Sequence, residues 1–258
     1  TFTNCTFDGN TDSGYGGGGI HFNGSNPTLT GCTFTNNTVL SRGGGISSVS
    51  SNAVVTLCTF TNNSANYGGG MFNEGNSNPT LSDCTFEGNV VRRGGGFYCE
   101  TNCSPTLTNC TFNENTALLG QGEGGGIFSG WNCDPTLTGC TFTGNSASVS
   151  GGGMHIYQDS SLTITNCTFT DNHAEDGGGM TISGESQSSI ANCDFLNNNG
   201  NANAGAIYNL QSSPTITNCN FIGNVAVTRG AGAMFNLLGS NPFIEDCLFE
   251  SNSAPEWG

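Results

Sequence analysis

Acidic side chains are the residues of this chain best suited to chemistry. Nineteen Asp and Glu stand against four Arg and no Lys, which gives a formal net charge of −15. Clustered carboxylates could serve as general acid and base on a sugar, or bind Ca²⁺. The candidate groups are Glu87 with Glu114, Asp171 with Glu175 and Asp176, and Glu245 with Asp246 and Glu250. The same balance argues against nucleic acid as a partner, because phosphates are held chiefly by clustered cations.

Cysteines are the second group with chemical potential, and the chain has 13 of them. Ten belong to a repeat, whereas Cys99, Cys103 and Cys133 do not. Cys103 and Cys133 each precede a repeat cysteine by seven residues, so we expect a surface disulfide, first Cys103 to Cys133 and second Cys99 to Cys103. A zinc site is the alternative, but the histidines lie far from these cysteines in repeat order: His21, His155 and His173. So many cysteines favour an oxidising, extracellular setting.

The positions of these groups are set by a repeat in which Cys is followed two places later by Phe and five places later by Asn. The period is 26 residues, lengthened to 27, 28 or 30 in a few copies, as is typical of a solenoid. The cysteines are Cys5, Cys32, Cys58, Cys84, Cys110, Cys140, Cys167, Cys193, Cys219 and Cys247. The phenylalanines are Phe7, Phe34, Phe60, Phe86, Phe112, Phe142, Phe169, Phe195, Phe221 and Phe249. The asparagines are Asn10, Asn37, Asn63, Asn89, Asn115, Asn145, Asn172, Asn198, Asn224 and Asn252.

Each repeat contains three short strand patterns. One has an apolar residue three places before Cys, one holds Cys-x-Phe, and one follows a glycine run such as Gly43 to Gly45. Asn, Asp or Gly separates the first two strands in every copy except at Leu57, which predicts a one-residue left-handed corner. Parallel stacking at roughly 4.8 Å per coil then predicts an all-β, three-sided, right-handed parallel β-helix of about ten coils.

In-register stacking turns each repeat position into a column. We expect the Phe column to fill the core, the Cys column to lie beside it as reduced thiols, and the Asn column to bond amide to amide along the axis. The acids do not form such columns, since none recurs at the same offset on an adjacent coil. The arginines precede glycine runs, away from those acids: Arg42, Arg92, Arg93 and Arg229. The sequence therefore predicts solvated surface charge, no catalytic residue, no cofactor and no metal beyond a weak Ca²⁺ site.

The pairing of Phe-x-x-Asn with a following glycine run, as at Phe34–Asn37 and Gly43–Ile46, resembles the repeat of the chlamydial polymorphic outer-membrane proteins. It is also similar to the wider set of bacterial right-handed β-helix surface proteins, and the resemblance covers essentially the whole chain. It implies a secreted or surface-displayed passenger that acts in adhesion or as a structural shaft, without an active site.

Two other functions stay open. One is a carbohydrate-active β-helix that binds or cleaves acidic polysaccharide. The other is ice binding, because Thr pairs on the first strand, such as Thr28 with Thr30, resemble the ice-binding face of β-solenoid antifreeze proteins; Val54 and Ala191 interrupt that array. Ordinary β-branched strand surface explains the same pairs.

Our interpretation is an extracellular structural or adhesive rod, with a host surface or a glycan as partner and no membrane-spanning segment. We expect residues 1–258 to form one β-helix domain with both ends uncapped, at Phe2 and at Trp257–Gly258, and to stack end to end as a homopolymer. We also expect N-glycosylation, because Asn-x-Ser/Thr motifs begin at Asn4, Asn23, Asn36, Asn62, Asn102, Asn109 and Asn166.

Overall fold

The chain folds as a parallel β-helix, as the repeat predicts. A computed structural model describes residues 1–118 and 120–255, and every helix or strand within them is a β-strand. Trp257 and Gly258, on which the expected open C-terminal end depends, lie outside the described residues. In the described part of the chain no helix is long and apolar enough to cross a membrane.

Two ten-stranded parallel sheets follow the first two strand patterns of the repeat. The first sheet contains Phe2–Thr3, Thr28–Thr30, Val54–Thr56, Thr80–Ser82, Thr106–Thr108, Thr136–Thr138, Thr163–Thr165, Ser189–Ala191, Thr215–Thr217 and Phe243–Glu245. The second contains Thr6–Asp8, Thr33–Thr35, Thr59–Thr61, Thr85–Glu87, Thr111–Asn113, Thr141–Thr143, Thr168–Thr170, Asp194–Leu196, Asn220–Ile222 and Leu248–Glu250.

The third sheet follows the glycine runs and has nine strands. They are Ile20–Asn23, Ile46–Val49, Met71–Glu74, Phe97–Cys99, Ile127–Ser129, Met154–Ile156, Met180–Ser183, Ile207–Leu210 and Met234–Leu237. A fourth, two-residue strand that the sequence did not predict lies between the second and third sheets. It forms Thr11–Asp12, Thr38–Val39, Val90–Val91, Thr116–Ala117, Ser146–Ala147, His173–Ala174, Asn199–Gly200 and Val225–Ala226.

Left-handed residues make the corners between sheets. The predicted corner residue has a positive φ in every copy, from 51° at Asp246 to 64° at Gly139. Leu57 also adopts a φ of 54°, although Leu rarely occupies the left-handed region. A second left-handed corner, which the sequence did not predict, follows the Cys-x-Phe strand, for example at Asn36 and Gly144. The rigid stack on either side therefore holds even a Leu in a conformation that the free residue avoids.

The repeat columns lie inside the coil. Successive Phe rings stack in parallel with centroids 4.5–5.0 Å apart. Each Asn side-chain amide of the column except the last, Asn252, donates to the Oδ1 of the next Asn at 2.8–3.1 Å. Its other N–H reaches the carbonyl of a Phe on the preceding coil, as Asn115 does to Phe86 at 2.9 Å. The buried amides therefore have partners along the rod.

The glycine runs allow the third sheet to approach this Phe stack. A Cβ on Gly70 would lie 2.5 Å from the ring of Phe86 and 2.6 Å from the carbonyl oxygen of Gly96. Both distances are shorter than any side chain tolerates, so Gly is required where the chain passes the ring. This close passage sets where the third sheet lies and what its outer face can carry.

Candidate functional site

The outer face of the third sheet is the region where the repeat stops repeating. The second residue of each strand points away from the core, and together these residues form what we call the outer ribbon: His21, Ser47, Phe72, Tyr98, Phe128, His155, Thr181, Tyr208 and Phe235. On the other two sheets the outward residues are mostly Thr and at least partly exposed. The ribbon instead carries large aromatic rings outside the core.

In what we call the covered half, Phe72, Tyr98 and Phe128 stack on one another with centroids 5.0–5.3 Å apart. They are no more than 2% exposed although they face outward. Two arginines cover them: the Arg42 guanidinium lies 5.0 Å from the Phe72 ring centre, and that of Arg93 lies 5.4 Å from Phe128. Cation–π attraction and burial of the arginine stems explain how this half stays closed to water.

The covering side chains come from a column just before the glycine runs, which we call the pre-glycine column. Parallel bridges connect its members in the order Arg42, Tyr67, Arg93, Glu123, Ser150 and Asp176. Arg42 pairs with Glu74, and Arg93 Nε lies 2.7 Å from Glu123 Oε2. The expectation that the arginines lie away from the candidate acids is therefore wrong for Asp176, which shares their column because it too directly precedes a glycine run.

In what we call the open half, the ribbon continues as His155, Thr181 and Tyr208 while the pre-glycine column shortens to Ser150 and Asp176. The smaller side chains leave a cavity of about 310 Å³. Its lining includes Glu123, Ser150, His155, Tyr157, Gln158, Asp176, Thr181, Ser183, Tyr208 and Gln211. A concave, partly aromatic site with a few polar groups is the form that small-molecule and sugar sites take.

His155 forms the wall between the two halves. Its ring is 4% exposed, meets Phe128 edge to face at 5.3 Å, and its Nε2 lies 3.1 Å from Ser183 Oγ. Since the Ser183 hydroxyl donates to the Ile156 carbonyl, Nε2 is assigned the proton. Burial, with a smaller contribution from Arg93, lowers the pKa of His155 to about 3. The imidazole is therefore neutral at physiological pH, and its buried Nδ1 has no partner among the described residues.

The carboxyl groups of the cavity also have pKa values above their ordinary range. Burial raises the pKa of Asp176, and an amide from Asn203, 2.6 Å from Asp176 Oδ1, opposes the shift. Burial likewise raises the pKa of Glu123 against the opposing charge of Arg93. Burial and the neighbouring Asp176 raise the pKa of Tyr208. Partly desolvated acids of this kind hold a ligand's hydroxyl or ammonium groups more strongly than solvated ones do.

Two residues of the cavity lining, Tyr157 and Gln158, contact Trp131. Trp131 is 38% exposed, meets the Tyr157 ring edge to face at 5.2 Å, and donates to the side-chain oxygen of Gln158. Beside it lies a second cavity of about 220 Å³, lined by Gln158, Asp159, Gly184, Glu185 and Gln211. The two cavities share Gln158, Gly184 and Gln211 and so form one groove across three coils.

The other candidate acids do not join this groove. Glu87 and Glu114 lie exposed on and beside the second sheet, and Asp171 and Glu175 are exposed near the fourth strand. The remaining group, Glu245, Asp246 and Glu250, is exposed on the last described coil. Among the residues described, no cluster of three or more His, Cys, Asp or Glu could hold a metal ion, and the weak Ca²⁺ site stays a prediction.

The cysteines outside the repeat lie elsewhere than expected. All three are free thiols, 0% exposed and part of the main core cluster, so the expected surface position is wrong. Cys103 and Cys133 occupy a column of serines that bond from coil to coil, for example Ser51 to Ser77 at 3.1 Å. The coil brings the third sheet back to the first at this column, which is why these side chains point inward. The ladder cysteines Cys32 to Cys219 are also buried free thiols.

The seven Asn of the glycosylation motifs are all exposed. Their modification stays a prediction. The Thr pairs of the first strand do stack in register on an outer face, with Thr80, Thr106, Thr136 and Thr163 consecutive and Val54 and Ser189 at the two ends of that run.

Sequence reasoning missed the outer ribbon, although a signal was present. Phe72, Tyr98 and Phe128 each stand two places after a glycine run in consecutive copies. A strand with one buried face predicts a solvated second face, so these rings were not expected outside the core. Only the fold shows that the pre-glycine column lies over them.

The chain was also compared with known proteins. The sequence model of the family described as the right handed beta helix region matches residues 1–150 and again residues 146–255. No curated protein matches the chain significantly. The family match is general, so the resemblance to the chlamydial polymorphic outer-membrane proteins stays a hypothesis. Since the two matches span nearly all of a parallel solenoid whose repeats stack in register, the chain belongs to the right-handed β-helix family.

Proposed function

We propose that this protein is an extracellular adhesive rod that binds a glycan chain in the groove of the open half. The observation that carries the proposal is the 310 Å³ cavity on the outer ribbon, lined by Tyr157 and Tyr208 together with Gln158, Gln211 and Asp176. Aromatic faces pack on the apolar face of a sugar ring, and amides and carboxylates bond its hydroxyls.

The rest of the surface supports a scaffold role for the other two sheets. Their outward positions carry short polar side chains in long in-register columns, whereas the groove crosses three coils of the third sheet only. A rod that presents one groove along its length suits an elongated ligand, because successive units of a chain can occupy successive coils. The acidic, lysine-free surface and the exposed glycosylation motifs support an extracellular setting.

Binding to an array of immobilised glycans tests the proposal. The wild-type protein should retain at least one class of glycan, and Tyr157→Ala should lose it because the exposed wall of the cavity is removed. Tyr15→Ala is the matched control, since Tyr15 is 82% exposed and lies far from the groove in coil order. Retention of no glycan by the wild type, or equal retention by Tyr157→Ala, would contradict the proposal.

Cleavage of the bound glycan is a second candidate function, favoured by the placement of Glu123 and Asp176. The two acids flank Ser150 in one column, and two coil steps separate them by roughly 9.6 Å along the axis. This backbone spacing lies just beyond the upper end of the range of about 6.5 to 9.5 Å that separates the two carboxyl groups of inverting glycosidases. Release of reducing ends or of unsaturated product from the retained glycan, abolished in Asp176→Asn, would support it. A glycan that is bound and stays intact would contradict it.

A further inference from the structure

The charge of the groove favours one class of sugar over the others. Its two cavities are lined by four carboxyls, Glu123, Asp176, Asp159 and Glu185, and by neither Lys nor Arg. Arg93 compensates Glu123 at 2.7 Å. Arg229 acts on Asp176 from outside the lining. The groove therefore keeps an excess of negative charge, and a uronate would meet repulsion there.

The aromatic walls add to the same preference. Tyr157 and Tyr208 line the cavity together with Asp176, and the Trp131 ring packs edge to face on Tyr157. Ring faces attract cations as well as sugar C–H groups. The covered half already shows this packing, since the ribbon rings there lie under Arg42 and Arg93. Among the described residues no guanidinium lies over a ribbon ring of the open half, although Arg229 is close enough to act on Tyr208.

Asp176 is the carboxyl best placed to pair with a ligand cation. It belongs to the pre-glycine column, lies one coil beyond Ser150 and is partly buried. Its Oδ1 accepts from the Asn203 amide at 2.6 Å, which fixes the side chain. Burial raises the pKa of this carboxyl, so its negative charge is under-compensated in the free protein and a bound cation would relieve that cost.

We propose that the cavity of the open half takes a sugar residue that carries a protonated amine, so that the bound glycan is an amino-sugar polymer with free amino groups. The ammonium pairs with Asp176, and the ring packs on Tyr157 and Tyr208. This inference rests on the proposed function, and it replaces the acidic polysaccharide that the fold alone suggested.

Titration calorimetry at fixed ionic strength, in mildly acidic buffer that keeps the amine protonated, tests the inference on the full chain. The probes are an oligomer of β-1,4-linked glucosamine, its fully N-acetylated counterpart, an oligomer of galacturonate and an oligomer of lysine. The glucosamine oligomer should bind at least about tenfold more tightly than each of the others. Asp176→Asn should remove that advantage and leave the N-acetylated oligomer unchanged, because the amide keeps the bond to Asn203. Glu87→Gln, which removes one exposed carboxylate from the second sheet, should change nothing.

Each outcome decides a different statement. Equal binding of the free-amine and N-acetylated oligomers overturns the inference and leaves the proposed function standing. Tighter binding of galacturonate overturns it as well. Equal binding of the lysine oligomer, or an equal loss in Glu87→Gln, shows attraction to the acidic surface in general and also overturns it. If no oligosaccharide binds while the protein is folded, the proposed function itself fails.

Discussion

The covered and open halves of the third sheet differ in what lies on an otherwise equivalent backbone. In the covered half Arg42, Tyr67 and Arg93 fill the space over stacked rings, and the outer ribbon is as dry as the core. In the open half Ser150 and Asp176 occupy the same column and leave a cavity. The solenoid thus separates its tasks, since the inner columns set stability in every coil and a few outer substitutions create a site.

The largest expected effect is a loss of stability when the core beneath either half is truncated. Phe112→Ala, under the covered half, and Phe195→Ala, under the open half, should each cost about 3 to 5 kcal/mol of unfolding free energy. Both rings are 0% exposed and have a stacked neighbour on each side. Thr111→Ala, on the outer side of the same strand as Phe112, should cost about 0.5 kcal/mol or less.

Urea unfolding measures these costs. Equal losses at the two Phe positions would show that the halves share one core. A loss at Thr111 as large as that at Phe112 would mean that the two faces of the strand are wrongly assigned.

The next largest effect is a gain in stability on oxidation, which only the covered half should show. Cys103 and Cys133 are neighbours in the serine column under the covered half, whereas the open half has Ser160, Ser186 and Ser212 there. Adjacent in-register residues, roughly 4.8 Å apart at Cα, lie within the range that a disulfide spans. Thiol–disulfide exchange with oxidised glutathione should pass two electrons and two protons from the two thiols to the glutathione disulfide. It should release two molecules of reduced glutathione and leave a Cys103–Cys133 bond that adds about 2 to 4 kcal/mol to stability.

Peptide mapping before and after oxidation checks the bond, and unfolding midpoints check its effect. Cys103→Ser introduces the residue that the preceding coil has in this column, Ser77, and should abolish the gain while the protein stays folded. A gain that persists in Cys103→Ser would assign the effect to other cysteines.

The unfolding free energy should depend on pH through His155, which forms the wall between the two halves. His155 has a pKa of about 3 in the folded protein against an ordinary 6.5. Between these values the unfolded chain binds a proton that the folded chain does not, so the unfolding free energy falls as pH falls. The loss reaches about 1.4 kcal/mol per pH unit, or roughly 2 kcal/mol at pH 5.

His155→Gln should lack that loss, and the difference between the two proteins across pH 5 to 7 isolates it, because the raised pKa values of Asp176 and Glu123 act in both. Parallel pH profiles of wild type and variant would show that His155 carries a proton in the fold.

The smallest change in stability should come from a substitution that makes the open half resemble the covered half. Thr181→Phe places a ring between His155 and Tyr208 and extends the covered half across the cavity. Glycan affinity should fall at least about tenfold, with stability changed by about 1 kcal/mol or less, since buried surface gained offsets the strain. Thr168→Phe, on the second sheet of the same coil, is the control and should leave affinity unchanged. Unaltered binding by Thr181→Phe would place the glycan outside the cavity.

The sequence alone determined the solenoid. The Cys-x-Phe-x-x-Asn repeat specifies one coil, parallel register follows from its fixed period, and the Phe rings and Asn amides can stack only if each coil repeats the last. The first corner of each coil could be predicted because Asn, Asp and Gly tolerate left-handed backbone angles. Leu57 shows the limit, since its φ is imposed by neighbouring coils rather than by its own preference.

The site was decided by the tertiary structure. Asp176 and Arg93 are 83 residues apart in the chain and share one column only because each precedes a glycine run in its own coil. Loops of varying length between copies hid that alignment, so the acids read as scattered. Whether an outward ring is covered or open depends on the size of the side chain that the preceding loop lays over it. The covering of a ring depends on contacts between segments that are distant in the chain, and the local sequence pattern of the strand does not predict those contacts.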